Sequence, residues 1–447
     1  MLMATKQALY ADLLTRPPPL RIVSRHAAAA PGATGFVPRA PESLEACGLS
    51  ATSIEEHVLR CVYAQPHTSG AQLAIACGLS FQAVIGPVIN NLRQDHLLEV
   101  RGQRGIGEAG YAYVLTSKGT ARALEAIERT LYRGPLPVPI ADYIASVEAQ
   151  RIDSKLVTSE RVREAFSDLL VPDSLRDKIG PSIMSGSALF LFGAPGNGKT
   201  AMAERISRVL SDPIYIPHAL EVDGTVVKLF DPLVHHPVQA GSTPGIDQRW
   251  VRIERPLVTA GGELTLAGLD LLWSAGGRYY EAPLQLKANC GVLLIDDFGR
   301  QRVQPVDLLN RWIVPLEKQV DYLTLVTGQR VKVPFQQMLV FATNLEPGNL
   351  ADEAFLRRIR FKLRLDDPTR QQFEELFRRE CESRGITFST DGVRYMLERW
   401  WADRPLRMCQ PRDVVHQIAA IAQYRGSTPD AGSRPLLDEA CGSYFAL

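Results

Sequence analysis

Eight residues, GAPGNGKT from Gly193 to Thr200, restrict this chain more than any other stretch. They follow the apolar run Ala188 to Phe192 and precede a helix-forming segment. The pattern G-x-x-x-x-G-K-[ST] in a strand–loop–helix setting is that of a phosphate-binding loop. Its composition has a physical reason. A phosphate chain needs several converging backbone N–H groups, and bulky side chains would block them. Gly193, Gly196 and Gly198 leave that room and tolerate unusual dihedrals. The helix that follows offers its positive end to an anion. The expected nucleotide-binding residues are therefore Gly193, Ala194, Pro195, Gly196, Asn197, Gly198, Lys199 and Thr200. Lys199 reaches the β and γ phosphates, and Thr200 offers its hydroxyl to Mg²⁺.

The second element is GVLLIDDFG. Val292 to Ile295 read as a buried strand ending in Asp296 and Asp297. An acid at a strand tip beside a phosphate loop can hold Mg²⁺ through water, a role assigned to Asp296. Asp297 is placed to polarise the attacking water. The lesser alternative is a pair of acids that caps the next helix.

The rest of the chain divides by composition. Its 447 residues carry 50 basic and 49 acidic side chains, net +1, which argues against a strong field for nucleic acid or membrane over the whole protein. Residues 1–50, with RPPPL and AAAAPGATGFVPRAP, read as a flexible leader. Residues 51–132 show three helical stretches, a two-strand hairpin and a last helix, which resembles a winged helix-turn-helix. Pro87 falls inside the third helix and should kink it or mark a late start. Residues 133–155 are proline-rich and read as a linker. Over 156–365 short apolar strands alternate with helices, so an α/β parallel sheet is expected. Residues 366–447 read as helices only, a small lid domain. The seven cysteines, Cys47, Cys61, Cys77, Cys290, Cys381, Cys409 and Cys441, contain no CxxC pair and read as buried free thiols. No apolar run reaches membrane-spanning length and no signal peptide is visible, so a cytoplasmic location is expected.

With these motifs in order, the chain resembles the AAA+ ATPase superfamily from about residue 155 onward. The resemblance implies ATP and Mg²⁺ as cofactors and hydrolysis of ATP to ADP and phosphate. Most members carry glutamate where this chain has Asp297, which implies slower turnover here. Asn344, closing the ATN strand end, takes the family's role of orienting water near the γ-phosphate. FLRRIRFKL supplies the arginine that such rings insert into a neighbour's site. Arg358 is the first candidate, Arg357 the reserve, and Arg360 reads as a solvated strand residue. In CQPRDVVHQI, Arg412 resembles the lid arginine that faces the γ-phosphate of its own subunit. A homo-oligomeric ring, a hexamer, is implied.

Two further segments refine the resemblance. Residues 217–285 exceed what the core needs and look like a hairpin-rich insertion. VDYLTLVTGQRVKVPF reads as a second hairpin before the ATN strand. Such hairpins resemble the MoxR-like branch, mostly remodellers of protein complexes, so an unidentified protein client is expected. A helicase loader or transcription regulator bound to DNA is the alternative. The third N-terminal helix offers DNA only Gln82, Asn90, Asn91, Arg93 and Gln94, and the wing adds Arg101 and Arg104. That is a thin footprint for phosphate neutralisation. His218, His235 and His236 fall in or near the insertion without the further ligands of a metal site, and read as loop histidines.

Overall fold

The computed structural model describes residues 35–238, 244–350 and 353–445. The expected flexible leader lies outside the described residues as far as residue 34. Its remainder is packed rather than loose. Ala40 N donates to Gly245 O at 2.9 Å and Asp247 N to Pro38 O at 3.0 Å. Phe36 meets Trp250 edge-on at 5.7 Å, and Cys47 is fully buried. The proline-rich composition reflects extended chain held against a surface.

Residues 51–132 build three helices, Ala51–Ala64, Gly70–Cys77 and Gly86–Gln94, and a small sheet. Ser50 and Ser69 cap the first two, Ser69 in a reciprocal box with Gln72. Pro87 stands in the first turn of the third helix, where its missing N–H costs nothing. A π-turn over Phe81–Ile85 precedes it. The strands Leu98–Gln103 and Tyr111–Leu115 pair antiparallel, with Thr68–Ser69 on the far side. The helix Ser117–Arg129 returns to the first helix, where Arg122 and Arg129 both reach Glu56.

The expected linker is a structural part. Val138–Pro139 pairs parallel with Ala219–Val222, and Ile140–Ala149 is a helix. That helix buries Tyr143 and Val147. Tyr143 donates to Leu286 O at 3.2 Å and accepts from Asn289 Nδ2 at 2.8 Å. The Gln150 amide bonds both the N–H and the C=O of Tyr215. Pro139 caps a helix here rather than marking a loop.

The central sheet has five parallel strands in the order Leu257–Ala260, Val292–Ile295, Met338–Thr343, Leu189–Gly193, Phe361–Leu365. Both faces are covered. One face packs Leu189, Leu191, Met202, Val340 and Leu363; the other packs Phe190, Leu293, Phe298, Trp312 and Phe341. Burial on both faces is why these strands read as continuous apolar runs.

The insertion differs from expectation in one respect. Leu257–Ala260 belongs to the central sheet, so the extra chain comes as two pieces on either side of it. With Val138–Pro139 they form a second sheet ordered Leu272–Ser274, Tyr279–Glu281, Thr225–Lys228, Ala219–Val222, Val138–Pro139. A separate pair joins Ile214–Pro217 to Trp250–Ile253. The hairpin Val320–Thr324 with Arg330–Pro334 shares their core through Leu323 and Val333. A buried pair, Arg255 with Asp212 at 2.7 Å, ties this platform to the central sheet by also donating to Gln150 O and Cys290 O. Helices Arg370–Ser383, Thr390–Trp400, Gln410–Tyr424 and Arg434–Phe445 form the C-terminal bundle around Phe373, Phe377, Trp401 and Val415. Among the described residues no single helix is long and apolar enough to cross a membrane.

Candidate nucleotide site

The site lies at the carboxyl ends of the three middle strands, whose register is Ile295 with Phe341 and Thr343 with Phe192. The loop leaves its strand at Gly193, where φ is 144° and a Cβ would stand 2.3 Å from Leu365 O on the neighbouring strand. Only glycine fits so close an approach. Lys199 begins the helix Lys199–Val209 and is buried. Its Nζ donates to Gly193 O at 3.1 Å and Ala194 O at 3.0 Å, folding back over the loop. Burial pulls its ammonium below its ordinary pKa, although Asp297 and Asp296 oppose this. A cation so placed is stabilised by any anion that enters.

Thr200 Oγ1 donates to Asp296 Oδ2 at 2.8 Å, joining the loop helix to the acidic strand end. Asp297 N donates to Asp296 Oδ1 at 3.0 Å. Asp297 itself has φ 48°, a backbone region that costs a non-glycine residue energy and recurs at functional sites. Its carboxylate accepts from Asn344 Nδ2 at 3.3 Å. The turn that carries it is fixed from behind. Phe298 N donates to Ala342 O and Thr343 Oγ1 to Phe298 O, both at 2.7 Å. The Phe298 ring packs on Phe190 and Phe341 at 6.0 and 4.9 Å. Loop, Asp296, Asp297 and Asn344 thus share one site.

The arginines divide. Arg357, Arg358 and Arg360 line a separate cleft of about 960 Å³ with Glu148, Asp153 and Glu317, and no residue of the loop or the acid pair lines it. Arg358 Nε donates to Glu317 at 2.6 Å. Arg412 opens its helix but is largely exposed and bonded to Asp413. A different arginine, Arg407, just before the third helix of the C-terminal bundle, lies against the loop. It pairs with Asp367, whose Oδ1 also accepts from Asn197 Nδ2 at 2.8 Å. Burial pushes the Asp367 carboxyl up, but the Asn197 and Arg407 hydrogen bonds outweigh it and hold it below its ordinary value. Met408 N donates to Asn197 Oδ1 at 3.3 Å and Cys409 N to Gly196 O at 2.9 Å. Sequence reasoning missed Arg407 because it sits in irregular chain before the helix, with no motif around it.

His235 is no surface loop residue. It is fully buried, its Nδ1 accepting from Asp231 N and its Nε2 donating to Lys287 O, both at 2.9 Å. Burial lowers His218 and His235 to about 4, and Phe230 packs against both rings.

Residues 369–443 match a family described as a domain of unknown function (DUF8689). No curated protein matches the chain. Among solved structures it is similar to NtrX from Brucella abortus in complex with ADP, at 16% identity and TM-score 0.41 over 73% of this chain. The match spans 66% of that NtrX chain, just under two thirds. It is also similar to the RuvB Holliday junction branch migration motor of Thermotoga maritima, at 13% identity and TM-score 0.36 over 66% of this chain and 72% of that one.

Proposed function

We propose that this chain is an AAA+ ATPase that binds ATP with Mg²⁺ and hydrolyses it. The observation that carries the reading is the contact between Thr200 and Asp296 across the mouth of the phosphate loop. Their oxygens are 2.8 Å apart. With its proton held by Asp296, the Thr200 hydroxyl keeps a lone pair for Mg²⁺, and Asp296 would hold the same ion through water. Held there, Mg²⁺ would supply positive charge to the β and γ phosphates. Lys199 exchanges the Gly193 and Ala194 carbonyls for phosphate oxygens. Asp297, oriented by Asn344, polarises the attacking water.

The cleft with Arg357 and Arg358 supports a ring in which these residues act on a neighbour's nucleotide, Arg358 first. A guanidinium stays charged and forks onto phosphate oxygens, as that role requires. Arg412 keeps its place as the lid residue by motif, and Arg407 joins it by position. The client of such a ring is a protein complex, engaged through the insertion platform. Binding of DNA by residues 51–132 is less favoured, because Arg101 of the wing is already paired with Glu99 at 2.8 Å. Calorimetry on Lys199→Ala tests the reading. ATP binding should be lost, and unchanged affinity would overturn it.

A further inference from the structure

Far from the phosphate loop, the first N-terminal helix carries His57 and Cys61 four residues apart, on one face. Cys77, the last residue of the second helix, faces them. An imidazole nitrogen and the two sulfurs all lie within 4.8 Å of one another, and all three residues are buried. We propose that His57, Cys61 and Cys77 form a binding site for a thiophilic d¹⁰ metal ion, Cu(I) or Zn(II), that staples the first two helices together.

Three observations support it. First, the spacing fits. An ion with ~2.3 Å bonds to sulfur and ~2.0 Å to nitrogen holds its donors roughly 3.5–4 Å apart, so small rotamer changes suffice. Second, His57 Nε2 is buried with no hydrogen-bond partner among the described residues. A neutral thiol beside it is only a weak S–H partner, whereas a metal ion would satisfy it fully. Arg60 Nη2 lies 3.3 Å from His57 Nδ1 and can only donate to it, so without metal the ring proton sits on Nε2. With metal on Nε2 the ring proton moves to Nδ1. Arg60 then gives up that long contact and keeps its bond to Tyr132 O.

Third, the charges balance. Arg60 is buried, and among the described residues no carboxylate forms an ion pair with it. Two thiolates around a monovalent ion carry one net negative charge, which Arg60 offsets. Around a divalent ion the cluster is neutral and adds no negative charge to that of Glu56 beside Arg60. Soft thiolate donors favour both ions, and the charge count favours Cu(I).

The test uses the full chain, reduced and stripped with chelator. It is loaded either with Cu(I), supplied through a chromophoric competitor, or with Zn²⁺, and then desalted. About one equivalent should remain per chain, as for a specific protein site. Cys61→Ser and Cys77→Ser should each lose it, and Cys441→Ser, in the C-terminal bundle, should keep it. Because a core variant can fail to fold, alkylation of the unsubstituted protein in mild denaturant gives a second readout. Metal should protect Cys61 and Cys77 but not Cys441. Retention of neither ion, retention undiminished in Cys61→Ser, or protection spread over all cysteines would each overturn the proposal.

Discussion

Gly196→Ala is the sharpest probe of how the C-terminal bundle meets the phosphate loop. Two costs can be separated in advance. Gly196 has φ 81°, and forcing an alanine into left-handed backbone costs about 1–2 kcal/mol. The new Cβ would also stand 2.6 Å from Cys409 Sγ, well inside contact distance. Overpacking of this kind costs about 1–3 kcal/mol, and relief by moving the bundle would stretch the 2.9 Å bond from Cys409 N to Gly196 O. The single variant should thus lose roughly 2–5 kcal/mol, combining the two terms. Cys409→Ala removes the sulfur and leaves Cβ at 3.6 Å from the added methyl, an ordinary contact. The double variant should therefore recover the steric part and keep only about 1–2 kcal/mol of backbone strain. Urea denaturation of the four proteins measures the cycle, and ATP titration of each shows whether affinity follows. A coupling energy near zero would refute the reasoning, since it would mean that Cys409 does not press on the loop.

Three other outcomes are expected. Asp297→Asn should keep ATP bound and stop turnover in a phosphate-release assay, whereas Asp296→Asn should weaken the response to Mg²⁺; near-normal turnover in the first would place the base elsewhere. Arg358→Ala and Lys199→Ala subunits should each be inactive alone and regain ATPase activity when mixed, read as rate against mixing ratio with mixed rings confirmed by mass; Arg357→Ala run alongside tests the reserve. For pH, His218 and His235 titrate at about 4 in the fold against 6.5 in the unfolded chain. Between those values the unfolded state binds more protons, so stability is full above pH 6.5 and falls as pH drops toward 4, by on the order of 3 kcal/mol for each ring. Melts across that window should flatten in His218→Phe, and an unchanged slope would count against burial as the cause.

The phosphate loop and both acids were legible because each is a short run whose chemistry is carried by neighbours in sequence. The same holds for the hairpin at Val320–Pro334, where turn residues sit between alternating strands. Residues 133–155 were misread because proline density signals irregular backbone but not whether that backbone is packed; Tyr143 and Val147, spaced four apart, were the apolar face that the prolines hid. The strand Leu257–Ala260 was absorbed into the insertion because the glycine pair after it resembles a hairpin turn, while its partner Val292–Ile295 lies 35 residues on. Arg407 had no local signal, since its partner Asp367, which Asn197 also binds, comes from elsewhere in the chain. His57 and Cys61 did offer one, helical spacing four apart, but Cys77 joins them only through the packing of two helices.

The buried Arg249 has a consequence for the order of events during synthesis. Its guanidinium pairs with Asp247 and donates to Cys47 O and Pro137 O, 202 and 112 residues earlier in the chain. The helices of residues 51–132 can form once that stretch has left the ribosome, because most of their core partners lie within it. The carbonyls of Cys47 and Pro137 must wait, hydrated, until Arg249 emerges. Contacts of such long separation close late and slowly. The nascent chain therefore passes through a stage in which its first unit is folded but undocked, with the Val138–Pro139 strand edge unpaired and open to wrong partners.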